Sequence, residues 1–241
     1  MTGFSLRRAF GPIKAHAPTW FSGFVRSAGT ALLTPVRFSL RTGHWRSSFA
    51  RLPLSRRGTP LPWYTYPCID FLASRSHAGR SVLEFGAGYS TLWWAARAAR
   101  VVALEADEEW LATLRRKVPE NVALQAVPGT DANACIAAVN GILNSLGHAR
   151  FDVVVIDGLC RSELIDVAAR SVTDDGIVLC DNAEGYGIQE GFRGRDFQRV
   201  DFFGYAPGVI LPHCTSLFFR TGAYVFAPTH PIPDITRNEG T

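Results

Sequence analysis

The 241-residue chain has no Asp or Glu before Asp70, while residues 1–69 carry ten Arg or Lys. The formal charge of +4 therefore splits into +10 for that arm and −6 for the remainder, where 15 basic residues meet 21 acidic ones. A basic arm with scattered aromatics suits phosphate, an anionic membrane surface or the acidic remainder of its own chain. Lysine is nearly missing, with only Lys14 and Lys117 among the 25 basic residues. That arginine bias points to genome composition more than to selection for phosphate contacts. The five cysteines (Cys68, Cys135, Cys160, Cys180 and Cys214) include no CxxC pair. A zinc ribbon and a redox dithiol are excluded, and a reduced, cytoplasmic setting is expected. Long apolar runs are also lacking: the stretch 17–36 is broken by Arg26 and small polar residues, which excludes a signal-peptide core and a spanning helix. The acid-free, Arg- and Ser-rich start resembles an organellar transit peptide in composition, a reading ranked below a bacterial cytosolic protein.

What is present is ordinary for a globular chain with a sizeable core: 47% hydrophobic and 12% aromatic residues, 22 Gly and 14 Pro. Residues 1–62 read as a basic extension of short helices and loops packed on the main domain. Residues 63–228 form that domain and 229–241 a tail. From Ser81 onward apolar runs alternate with helical stretches, the pattern of successive βαβ units. Strands are expected at Val82–Phe85, Val101–Glu105, Val122–Val127, Asp152–Ile156 and Ile177–Cys180. Helices are expected at Ser90–Ala99, Glu108–Lys117, Ala132–Ser145 and Ser162–Ser171. Val200–Phe203, Leu217–Arg220 and Tyr224–Ala227 read as strands joined without long helices, hence an antiparallel edge. The predicted class is α/β, a doubly wound, mostly parallel Rossmann-like sheet.

Val82–Ala95 (VLEFGAGYSTLWWA) is a strand, a Gly-rich turn and a helix, where backbone closely approaches a nucleotide-like ligand. Gly86 and Gly88 remove the Cβ atoms that would block that approach. Glu105 ends the next strand, where a carboxylate accepts hydrogen bonds from both ribose hydroxyls. A dinucleotide fingerprint wants a third glycine where Thr91 stands, and Glu84 would repel a pyrophosphate but suit the ammonium of a methionine moiety.

On these residues, ExGxGxS at Glu84–Ser90, the acid Glu105, FDVVVIDG at Phe151–Gly158 and GIVLCDN at Gly176–Asn182, the chain resembles the class I S-adenosylmethionine-dependent methyltransferases from about Val82 to Ala227. The resemblance implies a seven-stranded sheet with an antiparallel last strand and S-adenosylmethionine held by Glu84, Gly86, Gly88, Ser90 and Glu105. It also implies that Asp131 lies near the adenine, although an Asp before a helix is most often its N-cap.

Asp157 ends one strand and Asp181 with Asn182 the following one, so three hard oxygen ligands converge at the carboxyl edge and suit Mg²⁺. This is similar to the cation site of small-molecule O-methyltransferases, but position 160 holds Cys, followed by Arg161, where that group has a catalytic Lys. Proton removal then falls to Asp157 or to His213, expected in a loop between the late strands. A small-molecule or sugar acceptor is expected. The rival readings are a non-catalytic module whose basic arm docks peripherally on an anionic membrane or glycan assembly, and a nucleic-acid methylase, which lacks the NPPY-like tetrad.

Overall fold

The computed structural model describes residues 19–129, 131–147, 149–158 and 160–232. The chain divides into two compact units, Met1–Arg41 and Thr42–Thr241. In place of the expected short helices and loops, the described part of the first unit is one 24-residue helix, α1 (Thr19–Thr42), running through Pro35. Apolar residues recurring at the helical period outweigh the Gly and Pro punctuation, and Pro35 removes only one donor. Residues 43–62 belong to the second unit, with a short helix α2 (His44–Ala50) and a bridge pairing Leu54 with Pro60. Most of the expected tail, from 233 on, and the first 18 residues lie outside the described residues.

Among the described residues of the second unit, helix α3 (Tyr66–Ala73) leads into a βα alternation. It runs β1 (Ser81–Phe85), α4 (Tyr89–Ala95), β2 (Arg100–Glu105), α5 (Glu108–Arg115), β3 (Val122–Ala126), α6 (Ala132–Ser145), β4 (Phe151–Ile156), α7 (Ile165–Ser171) and β5 (Val172–Asp181). A short α8 (Ile188–Phe192) then precedes the hairpin of β6 (Gln198–Gly204) and β7 (His213–Phe219). The sheet order is β3-β2-β1-β4-β5-β7-β6. β7 is antiparallel to both neighbours, the others run parallel, and the expected seven-stranded sheet with an antiparallel last strand is what forms. Tyr224–Ala227 is not a strand: Tyr224–Phe226 is a 3₁₀ turn, because the Tyr224 hydroxyl bonds the buried His77 ring and Val225 is buried, which leaves no edge to extend.

The central strands read as continuous apolar runs because helices cover both sheet faces. Val153 to Ile156 and Ile177 to Cys180 are fully buried, and Leu83, Leu104, Val154 and Val178 share a core with Val139, Leu164 and Phe192. The N-terminal approach is pinned to the late hairpin: Thr65 N donates to Thr215 Oγ1 at 3.0 Å, and Thr65 Oγ1 donates to the Phe202 carbonyl at 2.9 Å.

Register fixes what faces the carboxyl edge. Phe85 is level with Leu104 and Ile156, and Ile156 with Cys180, so the next residues, Gly86, Glu105, Asp157 and Asp181, form one row. Gly86 turns there with φ +101°, its N–H donating to the Leu104 carbonyl, and a Cβ would stand 2.5 Å from the Asp157 carbonyl oxygen. Gly86→Ala is therefore expected to lower unfolding stability by about 2–4 kcal/mol through backbone strain and overlap. Urea denaturation checks this; an unchanged midpoint would show that the turn yields easily.

Candidate functional site

The row opens into a cavity of about 650 Å³. One side is formed by Gly86, Ala87, Gly88, Ser90, Glu105 and Trp110, the other by Trp63, Asp157, Arg161, Asp181, Tyr186 and His213. Ligand sites of doubly wound sheets lie at this edge.

On the glycine side, Glu105 is held by backbone donors. Its Oε2 accepts from Ala87 N at 3.0 Å, and its Oε1 from Ala106 N at 2.8 Å and Asp107 N at 2.9 Å. A carboxylate offers roughly four lone-pair sites, so space remains for one further hydroxyl rather than the two expected. Gly88 is different from Gly86: its backbone is extended, and a Cβ there would meet only Ser90 Oγ at 3.8 Å. That side chain would project into space the cavity now keeps open. Trp110 donates to the Ala87 carbonyl at 2.8 Å and lies parallel to Tyr89, with the Lys117 ammonium over both rings. Adjoining Glu105 is a small slot lined by Leu104, Val127, Pro128, Cys135 and Gly158.

Glu84 does not line the cavity. It has no exposed surface and lies beneath the turn, where Thr91 Oγ1 donates to its Oε2 while accepting from Gly88 N. Thr91, standing where a dinucleotide fingerprint has glycine, thus ties the turn to the carboxyl below. Among the described residues, Glu84 Oε1 has no hydrogen-bond partner. Burial pushes the Glu84 pKa up to about 7; the hydroxyls of Ser90 and Thr91 pull it back, Ser90 from close by without an aligned hydrogen bond, and the Glu105 charge adds to the rise.

Asp131 is the N-cap of α6, accepting from Asn133 N at 3.0 Å, and lines neither the cavity nor the slot.

On the opposite side Asp157, Asp181 and Asn182 do converge, but on a side chain. Arg161 Nη2 donates to Asp157 Oδ1 at 3.0 Å, and Nη1 to the Asp181 carbonyl and to Asn182 Oδ1 at 3.2 Å. Its Nε donates to the Gly158 carbonyl, and its guanidinium lies over the Tyr186 ring. Arg161 thus bridges the three residues expected to hold Mg²⁺, touching one carboxylate, one backbone carbonyl and one amide oxygen. Burial and the Asp181 charge raise the Asp157 pKa well above the usual range, with Arg161 opposing.

His213 is the first residue of β7 rather than part of a loop, because the hairpin strand is longer than its apolar run. Its Nε2 lies 3.3 Å from Asp181 Oδ1, outside hydrogen-bond alignment, and Asp181 Oδ1 accepts from Thr215 Oγ1 at 2.6 Å. Asp181 raises the His213 pKa most; burial lowers it, and Glu184 and a hydrogen bond to the Trp63 backbone raise it further.

Sequence reasoning passed over Arg161 as a site residue and the slot, whereas Tyr186, with Glu184, was among its candidates for acceptor contact, and Tyr186 lines the cavity. Among the described residues, Cys160, Asn182 and Tyr186 are three of the four non-glycine positions with positive φ, and all line the cavity.

The chain has the fold of the class I S-adenosylmethionine-dependent methyltransferases, on its strand order and single antiparallel strand. No family model matches the chain, and no curated protein matches it. Among solved structures it is similar to a precorrin-6Y C5,15-methyltransferase from Geobacter metallireducens (18% identity, TM-score 0.48, 64% of this chain and 87% of that one). It is also similar to a methyltransferase from Geobacter sulfurreducens (18% identity, TM-score 0.47, 71% and 85%). A third is a tRNA methyltransferase from Aquifex aeolicus (16% identity, TM-score 0.43, 65% and 69%).

Glu84 gives a pH test. Its folded pKa near 7 exceeds its ordinary value of 4.5, so the folded state holds the proton between those limits. Stability conferred by the protonated form is complete below pH 4.5 and lost as pH rises through 7, by about 3 kcal/mol. Glu84→Gln is expected to gain stability on wild type by that amount across the same window. Chemical denaturation at a series of pH values measures it, and parallel profiles would refute the shift.

Proposed function

We propose that the chain is an S-adenosylmethionine-dependent methyltransferase acting on an oxygen or nitrogen of a small molecule or sugar. The reading rests above all on one juxtaposition: a single cavity has an open glycine turn and Glu105 on one side, and Asp157 and Arg161 on the other.

The residues fit the cofactor. Gly88 leaves space beside the turn, Glu105 retains a lone pair for a ribose hydroxyl, and Leu104, Val127, Pro128 and Cys135 form an apolar recess next to Glu105. The Glu84 Oε1 beneath the turn, without a hydrogen-bond partner among the described residues, is an acceptor that suits an ammonium better than a phosphate. Bound S-adenosylmethionine supplies a methyl group already activated as a sulfonium substituent, so the protein's task is alignment and exclusion of water.

Asp157 is assigned to hold the acceptor and take its proton. A carboxyl whose pKa is raised by burial and by Asp181 is a stronger base than a solvated one. Arg161 fixes its orientation. His213 is assigned a positioning role beside Asp181, since its Nε2 faces that carboxylate at 3.3 Å. Trp63 and Tyr186 flank the acceptor side with aromatic surface.

Calorimetric titration of the full chain with S-adenosylhomocysteine tests the reading. Wild type is expected to bind, and Glu105→Ala to bind about tenfold more weakly or worse, the worth of hydrogen bonds to a charged group. Absence of binding to the wild type would remove the reading.

A further inference from the structure

Helix α1 is used by nothing in the site, and its side chains are sorted by chemistry. At about 100° per residue, the exposed Trp20, Phe24, Phe21, Leu32, Val25, Val36, Leu40 and Leu33 fall within an arc of roughly 220°. Arg26, Arg37 and Arg41 cluster in the remaining sector, within roughly 60°. The helix has no acidic residue, and none occurs anywhere in residues 1–69. Trp20 is 72% exposed and Leu32 71%. At about 1.5 Å per residue the helix is roughly 36 Å long, but it is not apolar enough to cross a membrane.

We propose that α1 is an interfacial helix that docks the protein on an anionic lipid bilayer. Its broad apolar face with aromatic residues near the start is suited to the boundary between headgroups and acyl chains, and its arginines to the anionic headgroups beside it. Charge complementarity selects this occupant: the first unit, acid-free and carrying six basic residues, is attracted to the negative surface potential of such a bilayer, at about 1 kcal/mol for each Arg or Lys near the surface. A second copy of this face would instead bring like charges together. An apolar protein groove would need the aliphatic face but not the arginines, and a nucleic acid would need the arginines but not the aliphatic face.

The test uses the purified full chain, without cofactor, in sedimentation with vesicles of phosphatidylcholine alone or with phosphatidylglycerol added. Binding is expected to the anionic vesicles, weak to the neutral ones, and to fall as salt rises. Phe24→Asp with Leu32→Asp, both exposed positions, is expected to abolish it, and Arg26→Glu with Arg37→Glu to lower affinity about tenfold or more. Titration with S-adenosylhomocysteine, run on each variant, reads the other unit separately, so loss of docking is distinguishable from failure of the methyl-transfer reading. Wild type that does not sediment with anionic vesicles would overturn the proposal, as would full binding by the Asp variant. Light scattering that shows an oligomer dissociated by the Asp substitutions would assign the face to a second copy. RNA binding lost with the arginines, without vesicle binding, would assign the arm to nucleic acid.

Discussion

Parallel strands ending level with one another bring acidic side chains together, and the rest of the site depends on how that repulsion is met. Glu105, Asp157 and Asp181 follow or end three of four adjacent strands, and Glu84 lies two residues before the glycine of the fourth. Like charges this close in partly buried surroundings destabilise each other's ionised forms. Each is answered differently: Glu105 by three backbone N–H groups, Asp157 by Arg161, Asp181 by Thr215 and the facing His213, and Glu84 by Thr91 and a raised affinity for its proton.

Those answers divide the cavity. Backbone donors hold Glu105 in place without bringing a side-chain cation, an arrangement that leaves one acceptor site for a hydroxyl. Arg161 instead adds a side-chain cation, tying Asp157 to the Asp181 carbonyl and the Asn182 amide, so the two strand ends and the loop after β5 are joined through one guanidinium. A planar fork with several donors does this where a divalent ion would need open oxygen ligands. Among the described residues, the cation that meets the Asp157 carboxylate is the Arg161 side chain.

Asp181 also joins the site to the packing behind it. Thr215 donates to Asp181 and accepts from the Thr65 backbone, while Thr65 donates to Phe202, so the approach to α3, the late hairpin and the acidic row form one hydrogen-bonded chain. Trp94 reaches the fully buried Tyr64 hydroxyl one residue earlier. The aromatic cluster at 63–66, legible as punctuation in the sequence, is thereby a wedge that holds β7 against β5.

The sequence by itself determined the alternation of strands and helices, the glycine turn, the acidic strand ends and the charge division of the chain, because each is written in local period or local composition. It overstated irregularity in residues 19–42, where glycines and a proline read as breaks in what is one helix, and it read Tyr224–Ala227 as a strand. Tertiary structure alone decided three things. Register placed Gly86, Glu105, Asp157 and Asp181 in one row, since level strand ends depend on pairing between segments far apart in the chain. Burial turned Glu84 away from the cavity and raised its pKa, since solvent access depends on every element packed around it. The reach of Arg161 back across two strand ends brought a guanidinium onto the Asp157 carboxylate and the Asp181 carbonyl, a matter of side-chain geometry that residue spacing does not encode.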